Sequence, residues 1–252
     1  MKTIIYIVLN LIFVSAFAQK AKENNAVIEY RIHNNTDIPN SLNASLFVNK
    51  GVTIYLPKYS TQVNDNQTEE RKQNKRIIPD WRYLKIDHKK KEILSFETLG
   101  FNLVLVKDDY NNLKWNITEE KKAIGNYQCT KATTSYRGMD WIVWFTPDIA
   151  LPYGPWKLHG LPGLIIEAHD AGEKFTWVVE KIEYKRDAIF DKEFVSLVET
   201  SNKEPMSQRQ SIEQQDEFEA NMEAEMRQAN PGMGESVKVS RGGYELKYEW
   251  EQ

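Results

Sequence analysis

One cysteine, Cys129, occurs in the 252 residues, which excludes an internal disulfide framework and any cysteine-rich zinc or iron–sulfur site. Neither sign of charge dominates. With 33 Lys and Arg against 36 Asp and Glu the formal charge is -3, so the chain lacks the basic face of a dedicated nucleic-acid binder. Beyond the first twenty residues no segment is long and apolar enough for a membrane-spanning helix. Local catalytic signatures are missing too: there is no G-x-S-x-G elbow, no HExxH run, no Walker loop and no dinucleotide fingerprint. What stands out is the aromatic content, with seven Trp, twelve Tyr and ten Phe.

The first residues, MKTIIYIVLNLIFVSAFAQ, place Lys2 before an apolar stretch from Ile4 to Phe17 that ends in Ala16-Phe17-Ala18. This is the pattern of a secretory signal peptide, with residues 1–18 removed by cleavage after Ala18. The expected mature chain begins at Gln19 and is exported to the periplasm or outer envelope, without a lipid anchor because no cysteine lies near the cut.

After the signal the prevailing period is two. In Val27 to His33, Ile28, Tyr30 and Ile32 fall on one side and Val27, Glu29 and Arg31 on the other, the pattern of a half-buried strand. Further strands are predicted at 45–49, 52–56, 82–87, 92–97, 101–107, 112–118, 126–136, 139–146, 164–169 and 174–184. The short breaks between them, such as Lys50-Gly51, Leu99-Gly100 and Arg137-Gly138, suit antiparallel neighbours. Residues 19–204 are therefore expected to form one antiparallel β domain, with a solvated polar loop at 60–75. Residues 205–252 are expected to hold a helix from Met206 to Ala229 and a tail. The helix carries a narrow stripe of Phe218, Met222 and Met226.

Several strands are apolar on both faces. Trp141, Val143 and Phe145 project one way and Ile142 and Trp144 the other, so both sides need cover. A curved sheet enclosing an apolar space would provide it, as would a helix or loop packed on one side. The expected ligand-binding set is Trp141, Trp144, Phe145, Tyr153 and Trp156.

Candidates for other chemistry are thin. No two of His33, His88, His159 and His169 have helical ligand spacing. His159, Glu167 and His169 could form a surface metal site, but ordinary strand-end histidines are the simpler account, and no metal, cofactor or catalytic residue is assigned. Met206, Met222, Met226 and Met233 are better explained by packing than by soft-metal binding. Cys129 reads as a small buried residue, and Asp108-Asp109 and Glu119-Glu120 as hydrated carboxylates in turns.

The densest motif runs from Pro147 to Ile165. Leu161-Pro162-Gly163-Leu164 has the residue preference of a type II turn, and Pro152 and Pro155 stiffen the approach, so the segment reads as a rigid crossover between strands. Gly160-Leu161-Pro162-Gly163-Leu164-Ile165 resembles the hexapeptide of the GLPGLI family of exported Bacteroidota proteins. The flanking Ile124 to Ala132, Trp144 to Ile149 and Tyr153-Gly154-Pro155-Trp156 resemble that family as well. The resemblance spans about Val27 to Tyr184 and implies export, but brings no catalytic residue with it. The strand order, with a W-F-T-P strand and a proline-rich crossover, is also similar in pattern to the curved half-barrel of periplasmic lipoprotein carriers.

The expectation is a mainly β protein: a strongly curved antiparallel sheet of half-barrel, lipoprotein-carrier-like form with a C-terminal helix. Its expected role is non-enzymatic binding of an apolar ligand, a lipidated chain or a peptide. The alternative is an accessory interaction module of an outer-membrane transporter or envelope complex, acting through the crossover and the helix. Neither role involves nucleic acid or a transmembrane span after signal cleavage.

Overall fold

The computed structural model describes residues 25–58, 83–185, 204–229 and 241–251. The signal peptide, the polar loop at 60–75, Arg82 and Met233 lie outside the described residues.

Eleven antiparallel strands and one short parallel addition make a single open sheet. In chain order these are β1 (Asn25–Asn34), β2 (Asn40–Asn49), β3 (Val52–Lys58), β4 (Leu84–Asp87), β5 (Glu92–Leu99), β6 (Asn102–Asp109), β7 (Asn116–Ile124), β8 (Tyr127–Tyr136), β9 (Met139–Thr146), β10 (Leu164–Asp170), β11 (Phe175–Lys185) and β12 (Met206–Ser207). The spatial order is β12-β6-β5-β4-β3-β2-β1-β11-β10-β9-β8-β7. Helix α1 (Gln208–Ala229) follows β12 and packs its first half on β5 and β6, with Gln208 and Ser211 buried and Phe218 edge-on to Phe101. Among the described residues no helix is long and apolar enough to cross a membrane.

The turns form where glycine relieves the backbone. Lys50-Gly51 and Arg137-Gly138 both have positive φ, the geometry of tight hairpins whose twist matches their strands.

The sheet has to curl. β6 and β7 lie ten inter-strand steps apart, about 48 Å if flat. They are joined by residues 110–115 alone, whose reach is at most about 25 Å. Side chains record the same curvature: Tyr30 on β1 donates to the Ile165 carbonyl on β10 at 2.7 Å, and Trp177 on β11 donates to the Tyr55 hydroxyl on β3 at 2.8 Å.

The concave face carries the main core. Ile28, Tyr30 and Ile32 lie on it, as their period of two predicts, together with Leu46, Ile86, Trp141, Val143 and Trp177. A smaller cluster built on Val27, Ile54, Tyr83, Phe96 and Leu105 forms separately.

Two expectations need correction. Residues 112–118 are not a strand as a whole; β7 begins at Asn116 and runs through Glu119-Glu120, which were expected in a turn. As an edge strand largely exposed on both faces, β7 has no alternation to read. At one edge β12 adds a two-residue parallel pairing to β6, and the other eleven strands form the antiparallel sheet that was expected.

Candidate functional site

The crossover from Pro147 to Gly163 leaves β9 and folds across the concave face. Leu151, Trp156, Leu158 and Leu161 are all buried in the main core. Its backbone is held from both sides: Gly160 donates to the Pro152 carbonyl at 2.9 Å, Ile165 to the Tyr153 carbonyl at 3.0 Å and Leu164 to the Ile149 carbonyl at 3.0 Å. The last of these displaces the expected type II turn. Instead Gly163 N–H donates to the Leu161 carbonyl at 2.8 Å, a three-residue turn that the fixed φ of Pro162 accommodates.

Glycine is required here for space. A Cβ on Gly163 would lie 2.0 Å from the Thr146 carbonyl oxygen, and one on Gly154 would lie 2.6 Å from Ile165 Cδ1. Leu161, Leu164 and Ile165 are buried. The hexapeptide is therefore the element that seats the crossover, and its residues offer packing rather than reactive groups.

The tip of the crossover brings three arrangements together. The first is an aromatic cage. Trp141, fully buried, lies 5.6 Å between ring centroids from Trp156 and 5.4 Å from Trp177. Trp156 holds positive φ, a strained state for a large side chain, and the burial of its ring offsets that cost. Into this cage comes Tyr244 of the C-terminal tail, 4.8 Å from both Phe175 and Trp177 and 5.5 Å from Trp156. The Trp141 indole N–H is buried and donates to no side chain or backbone acceptor among the described residues.

The second is a buried charge cluster beside the cage. Asp108 on β6 takes both terminal guanidinium nitrogens of Arg137 at 2.7 and 2.8 Å and the Lys157 ammonium at 2.6 Å. The Asp108 and Arg137 side chains are each 1% exposed and that of Lys157 is 4%. Asp108 is thus no hydrated turn residue, contrary to expectation: it sits in a strand whose partner Ile93 faces the core. The tail supplies the second carboxylate, Glu245, at 2.7 Å from Lys157 and also bonded to Arg137. Burial opposes ionisation of Asp108, but the neighbouring Lys157 and Arg137 charges prevail and hold its carboxyl below the usual range. Burial likewise opposes the Lys157 charge, and Glu245 and Asp108 overcome it, pushing its pKa up. Glu97, tied to Ser95 and Gln208, is pushed up by burial.

The third is a histidine–tyrosine group on the other side of the tip. The Tyr110 hydroxyl lies 3.1 Å from His88 Nδ1 and 3.3 Å from His159 Nδ1. Because a hydroxyl has one proton, it donates to one ring and accepts from the other, so the two tautomers are coupled. Thr53 Oγ1 fixes the far nitrogen of His88 at 3.1 Å, and Tyr153 packs 4.6 Å from the same ring. Burial lowers the pKa of both imidazoles to about 4, helped at His88 by the nearby His159.

The sequence-derived set is split by this arrangement. Trp141 and Trp156 share the cage, and Phe145 lies deeper in the core. Tyr153 belongs to the histidine group, while Trp144 projects from the other side of β9 under the Lys122 ammonium, 4.5 Å from its ring. His159, Glu167 and His169 each have other partners. Glu167 pairs with Lys122 at 2.7 Å and His169 bonds the Asp170 carbonyl, and among the described residues no three His, Cys, Asp or Glu side chains are grouped as metal ligands. The residues missed from sequence, Asp108, Arg137, Lys157, Tyr244 and Glu245, come from four distant segments with no shared local motif. The only local hints were a lysine and a tryptophan adjacent in a stiff crossover.

No family model matches the chain, and no curated protein matches it. Among solved structures, PNGF-II in a C2 crystal form superposes with a TM-score of 0.54 at 18% identity, over 76% of this chain and 32% of that one. Its P21 form gives 0.53 at 19% identity, over 76% and 33%. The chain thus spans about a third of the PNGF-II length, and at this identity the likeness is one of fold alone. A LolA superfamily protein from Nitrosomonas europaea aligns over 71% of this chain and 96% of its own, with a TM-score of 0.30 at 7% identity. The chain is a mainly β protein built on one open, strongly curved sheet with a C-terminal helix.

Proposed function

We propose that the chain is an exported, GLPGLI-type envelope protein that acts by binding, taking an apolar group of a ligand, lipidated chain or peptide against the concave aromatic face. The observation that carries this reading is the seating of Tyr244. Three tryptophans and Phe175 surround one ring, and that ring comes from a tail segment that is not a strand of the sheet. The cage is built around an inserted apolar group, its walls fixed by the sheet and the crossover, as a small-molecule or side-chain pocket requires. Trp141 and Trp156 line the cage, and Phe145 is buried in the same core.

The test is native mass spectrometry of the protein purified from the envelope under mild conditions. Co-purification of an apolar species that is lost on Trp156→Ala supports the reading. A protein that emerges free of any such species, and binds no acyl probe after purification, contradicts it. The accessory-module alternative draws on a different observation, the exposed second half of α1, and predicts crosslinked partners at that helix instead.

A further inference from the structure

The tail does more than fill the cage. Its backbone touches the β8–β9 turn only through Leu246 N–H and Lys247 N–H, both donated to the Arg137 carbonyl. Everything else is side-chain recognition. Tyr244 enters the cage, the next residue, Glu245, reaches Lys157 and Arg137, and Tyr248 lies over the Arg137 guanidinium at 4.9 Å. Upstream, Gly242 and Gly243 carry no side chains, and Arg241 is clamped to Asp216 of α1 and to Glu251.

Charge bookkeeping in the cluster is specific. Arg137 and Lys157 bring two positive charges to a buried space where Asp108 supplies one negative charge, and the tail adds Glu245, bonded to both cations, and the half-exposed Glu249, 3.2 Å from Arg137. With the tail displaced, Asp108 alone would face two buried cations, a costly excess of positive charge that an incoming carboxylate would relieve. The arrangement is thus complementary to a pair of adjacent side chains, one aromatic and one acidic, presented by an extended segment.

We infer that this site recognises a peptide segment of another protein in which an aromatic residue is followed directly by Glu or Asp, and that residues 241–251 are the built-in competitor occupying it. This rests on the proposed binding role and names the class of ligand. The tail and the foreign segment bind in alternation: the aromatic ring is held by the cage, the carboxylate by Lys157 and Arg137, and the occupied site excludes the other chain. The effective concentration of a tethered tail makes it a strong competitor even where its own affinity is modest.

The experiment is fluorescence anisotropy with a labelled peptide of the tail sequence, RGGYELKYEWE, against the full chain carrying Tyr244→Ala and Glu245→Gln together. The peptide should bind this vacated variant at least about tenfold more tightly than the wild-type protein, whose tail competes. Replacing Glu by Gln after the first Tyr of the peptide, or that Tyr by Ala, should each weaken binding by about thirtyfold. If the vacated variant fails to fold, a protease site introduced within 230–240 of the otherwise wild-type chain frees the tail after folding, and exchange for labelled peptide is followed instead. Equal binding of all three peptides, or no binding to a folded vacated protein, overturns the inference. So does a concentration-dependent dimer of the wild-type chain, since the tail of a second copy would then be the occupant. If an acyl probe binds while the peptide does not, the peptide inference fails and the apolar-binding role stands. If neither binds, both fail.

Discussion

At the residue scale, position 163 tolerates nothing but glycine because the Thr146 carbonyl stands where a Cβ would go. Gly163→Ala is expected to lower stability by at least about 3 kcal/mol or to prevent folding, since backbone must move to admit the methyl group. Gly125 gives the matched control: it holds positive φ but a Cβ there meets nothing within 4 Å, so Gly125→Ala should cost only about 1 kcal/mol in the same urea titration. Lys157 carries a different kind of sensitivity. Lys157→Met leaves Arg137 alone to neutralise both Asp108 and Glu245, an excess buried negative charge that costs about 3 kcal/mol. Adding Glu245→Gln removes the excess carboxylate and leaves Asp108 paired with Arg137, so the double variant should be less destabilised than the sum of the singles. A strictly additive double-mutant cycle would mean that the two side chains do not interact as the geometry states.

Elements respond to pH through the histidine group that links the β4–β5 turn, the 110–115 connection and the crossover. His88 and His159 are both lowered from 6.5 to about 4, so the unfolded chain takes up their protons first as pH falls. Their contribution to stability is complete above about pH 6.5 and is lost between 6.5 and 4, on the order of 3 kcal/mol for buried His159. Asp108 acts lower: with its pKa depressed below 3.8, its contribution is present above that value and lost as pH falls further. Urea midpoints measured from pH 7 to pH 4 should therefore decline in the wild type and decline less in His159→Phe; identical slopes would contradict the assignment. The strands themselves were legible because burial on one or both faces imposes a period of two or an apolar run, as in Val27 to His33 and Met139 to Thr146. Those that failed are the ones whose environment leaves no such mark. β7 is an exposed edge, and Asp108 is a buried ion that sequence alone reads as solvated. The rigidity of the crossover is legible in Pro152, Pro155 and Pro162, yet the role of Gly163 depends on a carbonyl seventeen residues earlier, a contact that only the fold creates.

At the scale of the molecule, a short connection between the sheet's far strands forces the curl, and the crossover and tail then close on its inner face. Strands apolar on both sides left a curved sheet and a covering helix or loop both open, and the curl was expected from them only together with the resemblance in strand pattern to lipoprotein-carrier half-barrels. The identity of the filling was not, because Tyr244 and Trp141 are brought together from positions 103 residues apart in a chain with no motif joining them. On the binding role proposed above, the cage holds an exchangeable apolar group, with Tyr244 as its resident. The most direct test of that role is a titration of wild-type and Tyr244→Ala protein with a fluorescent acyl probe, read by energy transfer from the cage tryptophans. One probe should bind per chain, at least about tenfold more tightly to Tyr244→Ala, where the resident ring is gone. Equal affinity in the two proteins, with the fold intact in both, would contradict it.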